Sequence, residues 1–128
     1  MKRFEYSASA AHEEPLDPNT DWSSEALVLA GLIKCSLASL EFFGEREKIS
    51  VKGGGAADGV VARRDSDDRY AFVEIFCGLD VTLEPKPEGE ELDRLLDSAE
   101  WGCFISASLT VKPRYEWRVN GEVVARGS

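Results

Sequence analysis

The chain has 128 residues and a formal net charge of −9, with Asp+Glu 24 against Lys+Arg 15. Apolar residues make up 43% and charged residues 30%, the balance of one globular domain (residues 1–128) with a single core. The acidity argues against a nucleic-acid partner, whose phosphates need a basic surface.

The N-terminus, MKRFEYSASAAHEEP, carries two basic residues but no apolar stretch behind them, so no secretory signal is expected. Residues 3–10 alternate, with Phe4, Tyr6, Ala8 and Ala10 on one side, the period of a half-buried strand. HEEPLDPNTD breaks that pattern with two prolines and reads as a loop. Residues 21–24 then offer helix N-caps, with Glu25 placed to meet the helix dipole. The helix is expected over residues 24–43, ending at Gly44 and buried nearly all round, because it is apolar on nearly every face. Its longest run of apolar residues and glycine, residues 26–33, is too short to span a bilayer. A cytoplasmic protein with no membrane partner is the expectation.

KISVKGGG, GVVARR and YAFVEIFCGLDVTLEP are rich in β-branched and aromatic residues and read as three strands. DSDD makes a hairpin turn of the last two, and PKP stops the third. VKGGGAADG has four glycines without phosphate-loop spacing and precedes no helix, so a flexible hairpin or bulge is expected there. Residues 90–101 put Leu92, Leu95, Leu96 and Ala99 at helical spacing, an amphipathic helix with an acidic outer face. SLTVKPRYEWRV and EVVAR flank Asn120-Gly121, a strong hairpin signal. The layout is α+β, with strands and helices in blocks.

The cysteines are Cys35, Cys77 and Cys103. There is no CxxC, and His12 is the only histidine, so neither a disulfide scaffold nor a zinc site is expected; no metal or cofactor is called for. Cys77 alternates with Ile75 and Val73 and reads as core. Cys35 sits mid-helix, beyond the reach of the macrodipole, and an apolar setting raises a thiol pKa. Neighbours on a helix point about 100° apart, so Lys34 does not activate it automatically. The residues alone leave Cys35 open as an inert core thiol or a reactive one.

Glu25 lies ten residues before Cys35, and Cys103 follows the second helix in AEWGCFISASL. This arrangement resembles the OsmC/Ohr family of thiol-dependent hydroperoxide reductases. There, a Pro-Glu pair opens the central helix, the peroxidatic cysteine follows ten residues later, and a second cysteine sits in an Ala-Glu-x-x-Cys-x-x-Ser context. The resemblance runs from about Arg3 to Val124. It implies an OsmC-like fold, with antiparallel sheets wrapped around a long central helix in an intertwined homodimer. It also implies that Cys35 attacks an organic hydroperoxide, that its sulfenic acid condenses with Cys103, and that an external dithiol of the lipoyl or another type reduces the disulfide. Ten helical residues rise about 15 Å. If Glu25 acts on a Cys35, it is therefore that of a second copy. Trp22, Phe42, Phe43 and Phe104 are candidates for the substrate pocket walls.

Two departures from the family pattern stand out. Ser24 replaces the proline, a mild change because serine caps helices well. The arginine that family peroxidases carry after their first strand has no counterpart in AAHEEPLDPNTDW. His12, Lys34, Arg46 or Arg3 would have to supply the cation. The alternatives to an enzyme are a non-catalytic dimeric module that binds a small ligand, or a thiol-disulfide sensor.

Overall fold

The structure, a computed structural model, describes residues 22–126. The strand expected over residues 3–10, the loop after it and His12 lie outside the described residues. Helix α1 (Ser24–Arg46) starts where Ser23 Oγ accepts a 3.0 Å bond from the Ala26 N–H. It runs past Gly44, which was expected to end it. The stop comes when Lys48 takes a left-handed φ of 61°. The Ile49 N–H then bonds the Gly44 carbonyl at 2.8 Å and the Lys48 N–H bonds that of Glu45 at 3.0 Å, a Schellman closure on a lysine. Gly44 lies instead where the helix presses on Val51 and Ile49.

One stripe of α1 is buried: Leu32, Ser36, Leu40 and Gly44, at a four-residue spacing, with Ser39 beside it. The expectation of burial nearly all round is corrected for the single chain, in which Leu27, Val28 and Phe42 are exposed. Among the described residues there are one sheet and one other long helix to set against α1, too little to surround it. Length and composition alone would let α1 cross a membrane; its stripe packs in the core of this fold.

The glycine-rich stretch is neither hairpin nor loop. Strand β1 (Ser50–Arg63) is continuous through it and pairs antiparallel with β2 (Tyr70–Glu84), from Ser50↔Glu84 to Arg63↔Tyr70. Two expected strands are therefore one. The acidic turn closes the hairpin as expected, with the Arg64 N–H bonding the Arg69 carbonyl at 2.9 Å and the Arg64 guanidinium gripping Asp67 at 2.7 and 2.8 Å. The register slips between Val60 and Val61, which face Glu74 and Phe72 and leave Val73 unpaired. That bulge reverses the alternation. Phe72 packs on the core and Val73 is exposed, so Val73 does not share the inward face of Ile75 and Cys77.

Helix α2 (Gly89–Gly102) buries Leu92, Leu95, Leu96 and Ala99, the four that its spacing predicts. A short helix α3 (Phe104–Ser108), not anticipated, follows at once. Strand β3 (Arg114–Val119) starts only after Pro113, which has no N–H for a ladder. The α2–α3 crossover returns the chain so that β3 lies parallel to β2, with Cys77↔Tyr115 and Leu79↔Trp117 as partners. Among the described residues the sheet has four strands, ordered β1-β2-β3-β4 with β4 at Glu122–Val123, and is thus mixed rather than purely antiparallel. Asn120 and Gly121, at φ 50° and 87°, make the expected two-residue turn. The Asn120 side chain also clamps the Leu83 backbone, at 2.8 and 3.1 Å. The core lies between the sheet and the two long helices, around Trp117, Leu32, Leu40, Leu79 and Leu96.

Candidate active site

α1 and the α2–α3 junction bring Cys35 and Cys103 together. Cys103 ends α2 and caps α3, where its Sγ accepts from the Ser106 N–H at 3.5 Å. It is fully buried. The Ser36 hydroxyl donates to the same sulfur at 3.5 Å, and Tyr115 Oη lies 2.9 Å from Ser36 Oγ. A Tyr115–Ser36–Cys103 chain thus holds this thiol in place. Cys35, one residue before Ser36, is half-buried, and both thiols are free. Cys103 is near enough to act on the ionisation of Cys35.

Burial pushes the Cys35 thiol above its ordinary pKa, and the neighbouring Cys103 adds to this; the N–H groups of Ile105 and Phe104 act the other way. Among the described residues no cation contributes. Only the thiolate attacks an electrophile. The rate of Cys35 alkylation by iodoacetamide should therefore rise about tenfold per pH unit from pH 7 to pH 9, without a plateau. A plateau below pH 8 would show a thiol held low instead.

Cys35 opens into a cleft of about 620 Å³ lined by Gly31, Lys34, Ala38, Ser39, Phe42, Phe43, Trp101, Gly102, Phe104 and Ile105. Small residues on one face of α1 leave the space, and aromatic side chains wall it. Three of the expected wall residues, Phe42, Phe43 and Phe104, line it. Trp22, exposed just before α1, does not. Trp101, 82% exposed, is a wall the sequence reading missed. Its place beside Gly102-Cys103 was the available signal. Gly102 lets α2 approach α1, since a Cβ there would sit 2.6 Å from Ser39 Oγ. Ser39 Oγ itself is buried with no hydrogen-bond partner among the described residues. Ser39→Ala should raise unfolding stability by about 1 kcal/mol, read as a higher urea midpoint at unchanged slope.

The other candidates are dispersed. Lys34 lines the cleft. Arg46 sits over the Phe42 ring at 5.9 Å and lines a separate groove. Glu25 is exposed at the start of α1, where a 2.8 Å bond from the Ser24 hydroxyl leads the groups that lower its pKa. Within one chain it stands about 15 Å from Cys35 along the helix. Glu100 lies on α2, three residues before Cys103. It accepts from Trp117 Nε1 at 2.8 Å and meets Arg126 at 3.3 Å, tying α2 to the sheet. Cys77 is buried in the core, its pKa pushed up to about 12 by burial first and then by Cys103 and Glu100. Among the described residues, no group of three or more His, Cys, Asp or Glu side chains could hold a metal ion.

No curated protein matches the sequence. Solved structures share the fold. An OsmC-like protein of unknown function from Vibrio cholerae aligns with a TM-score of 0.64 at 16% identity, over 73% of this chain and 62% of that one. An OsmC-like protein from Mycoplasma pneumoniae aligns with a TM-score of 0.63 at 19% identity, over 76% and 71%. An organic hydroperoxide resistance protein from Elizabethkingia anophelis aligns with a TM-score of 0.55 at 20% identity, over 79% and 70%. This chain thus spans under two thirds of the Vibrio protein's length. The family pattern of OsmC-like proteins matches residues 17–118, across both cysteines and most of the described fold, and the chain belongs to that family.

Proposed function

We propose that this chain reduces organic hydroperoxides through Cys35 and Cys103. The observation that carries the reading is the pairing of a half-buried thiol, open to an apolar cleft, with a fully buried thiol beside it. Family membership supports it, as does the name of the Elizabethkingia relative. The Cys35 thiolate attacks the distal peroxide oxygen. The O–O bond breaks, the alkoxide leaves as an alcohol after taking a proton, and Cys35 becomes a sulfenic acid. The Cys103 sulfur then attacks the Cys35 sulfur, forming the disulfide and releasing water. An external dithiol, oxidised in turn to its own disulfide, restores both thiols.

A homodimer belongs to the same reading. It would cover the exposed apolar side of α1 and bring Glu25 of a second copy, ionised and held by Ser24, toward Cys35 as a proton acceptor. The stopped-flow rate of thiol oxidation by cumene hydroperoxide at pH 7 tests the enzyme reading. Oxidation much faster than that of a free model thiol, with loss of two thiols per chain, is expected. The raised Cys35 pKa favours one competitor, a slow thiol-disulfide sensor. That reading gains if the disulfide forms readily with a disulfide reagent while peroxide reacts no faster than with a model thiol.

A further inference from the structure

Ser36 lies on the buried stripe of α1, between Leu32 and Leu40, and is itself fully buried. A hydroxyl in that setting needs partners. It has two, the Cys103 sulfur at 3.5 Å and Tyr115 Oη at 2.9 Å. A hydroxyl carries one proton. Ser36 donates its proton to Cys103, so Tyr115 has to donate to Ser36. Burial raises the Tyr115 phenol pKa, which keeps that proton in place, and the ring stacks on buried Trp117 at 6.0 Å. The bonds therefore run one way, from Tyr115 through Ser36 to the sulfur. The Ser106 N–H meets the same sulfur at 3.5 Å. Two donors thus converge on Cys103 Sγ.

A neutral thiol is a weak acceptor and gains little from two donors. A charged sulfur gains much more. The second step of the proposed cycle makes that charge. Cys103 gives up its proton, its sulfur attacks the sulfur of oxidised Cys35, the S–O bond breaks, and the leaving hydroxide takes the proton to become water. Resting on the hydroperoxide reading above, we propose that Ser36 is a further catalytic residue of this second step, its hydroxyl aimed by Tyr115 to stabilise the negative sulfur of Cys103. Tyr115 is a positioning residue that acts through Ser36. Neighbours on a helix point about 100° apart, so Cys35 faces the cleft while Ser36, the next residue, faces the core. One turn of α1 serves both sulfurs.

An aromatic disulfide reagent, dithiobis-nitrobenzoate, isolates this step without a peroxide. Attack by Cys35 releases one thionitrobenzoate and leaves the other joined to Cys35. Attack by Cys103 on the Cys35 sulfur of that mixed disulfide releases the second, at a rate independent of reagent concentration. Absorbance reads both. In Ser36→Ala the ratio of the second rate to the first should fall about tenfold at pH 7, the loss of one hydrogen bond to a charged group. In Tyr115→Phe it should fall about threefold. Tyr115→Phe should add nothing in the Ser36→Ala background, because the phenol acts through the serine. The titratable groups that face Cys103 from the sheet, Cys77 and Tyr115, both have raised pKa values, and Glu100 on α2 is tied to Trp117 and Arg126. The Ser36→Ala deficit should therefore narrow as the pH rises to 9, where hydroxide ionises Cys103 without the serine's help. Tyr115→Phe removes one oxygen from a half-buried ring and keeps the test available should Ser36→Ala fail to fold.

An unchanged ratio in both variants overturns the inference. So does a deficit that stays constant with pH, or effects that add in the double variant, since a loosened core gives either. Single-turnover oxidation by cumene hydroperoxide, with dimedone-type trapping, carries the test to the peroxide cycle, where the sulfenic acid should last about tenfold longer in Ser36→Ala. Rapid peroxide reduction with resolution at the wild-type rate in Ser36→Ala overturns the inference and leaves the enzyme reading standing. A deficit with the disulfide reagent, beside peroxide oxidation no faster than that of a model thiol, overturns the enzyme reading and retains the donor chain for a thiol-disulfide pair.

Discussion

Cys35→Ser should abolish hydroperoxide consumption, whereas Cys103→Ser should leave the first oxidation within about threefold of wild type and remove the disulfide. The asymmetry follows from the two environments. Cys35 faces the cleft, and Cys103 is fully buried and held by Ser36 and Ser106. A peroxide can reach the first sulfur and not the second. A serine hydroxyl at position 35 is far too weak a nucleophile for the O–O bond at neutral pH. In Cys103→Ser the sulfenic acid has no neighbouring thiol, so it should accumulate, react with a dimedone-type trap, and pass to sulfinic acid under excess peroxide. Intact mass after one equivalent of oxidant distinguishes these species. If Cys103→Ser loses activity and Cys35→Ser keeps it, the assignment of roles is reversed.

Gly53→Ala should destabilise the fold by about 3 kcal/mol or more, while Gly54→Ala, one residue along the same strand, should change little. A Cβ on Gly53 would lie 2.3 Å from the Asp80 carbonyl oxygen and 2.8 Å from Val81 Cα. Both are backbone atoms of β2, and Gly53 is paired with Val81 in the ladder, so no flexible side-chain end can yield. A Cβ on Gly54 meets nothing within 4 Å. Both variants exchange glycine for alanine in a strand, so the unfolded-state effect is common to them and the clash alone separates their urea midpoints. Equal midpoints would mean that β1 and β2 do not approach so closely.

The glycine-rich stretch also shows where local reading stops. Its composition reads as a break between two strands, because glycine weakens a strand and carries no side chain to pack. The fold uses those residues for close approach to β2, and the pairing needed to see that is set some twenty residues away. Val73 failed for a related reason. Period-two alternation predicts its face only while the ladder is regular, and the bulge opposite Val60 and Val61 reverses it. Helix α1 was legible in type and in its start from its cap and apolar content, but not in its end, where Lys48 rather than Gly44 takes the left-handed turn. Its burial was not, since that depends on how much partner surface the fold supplies.

The sequence by itself determined the long apolar helix, the core stripe of α2, the Asn120-Gly121 turn and the family to which the two cysteine contexts point. Each rests on spacing or turn chemistry within a dozen or so residues, where local sterics and burial dominate. Only the tertiary structure decided that Cys35 meets Cys103 across 68 positions of chain, that Trp101 walls the cleft, and that Lys34 stands at its lip while Arg46 and Trp22 do not line it. Those outcomes depend on how α1 packs on α2. That packing is set by the close approach at Ser39 and Gly102 and by the Tyr115–Ser36–Cys103 hydrogen bonds, which join residues far apart in the chain.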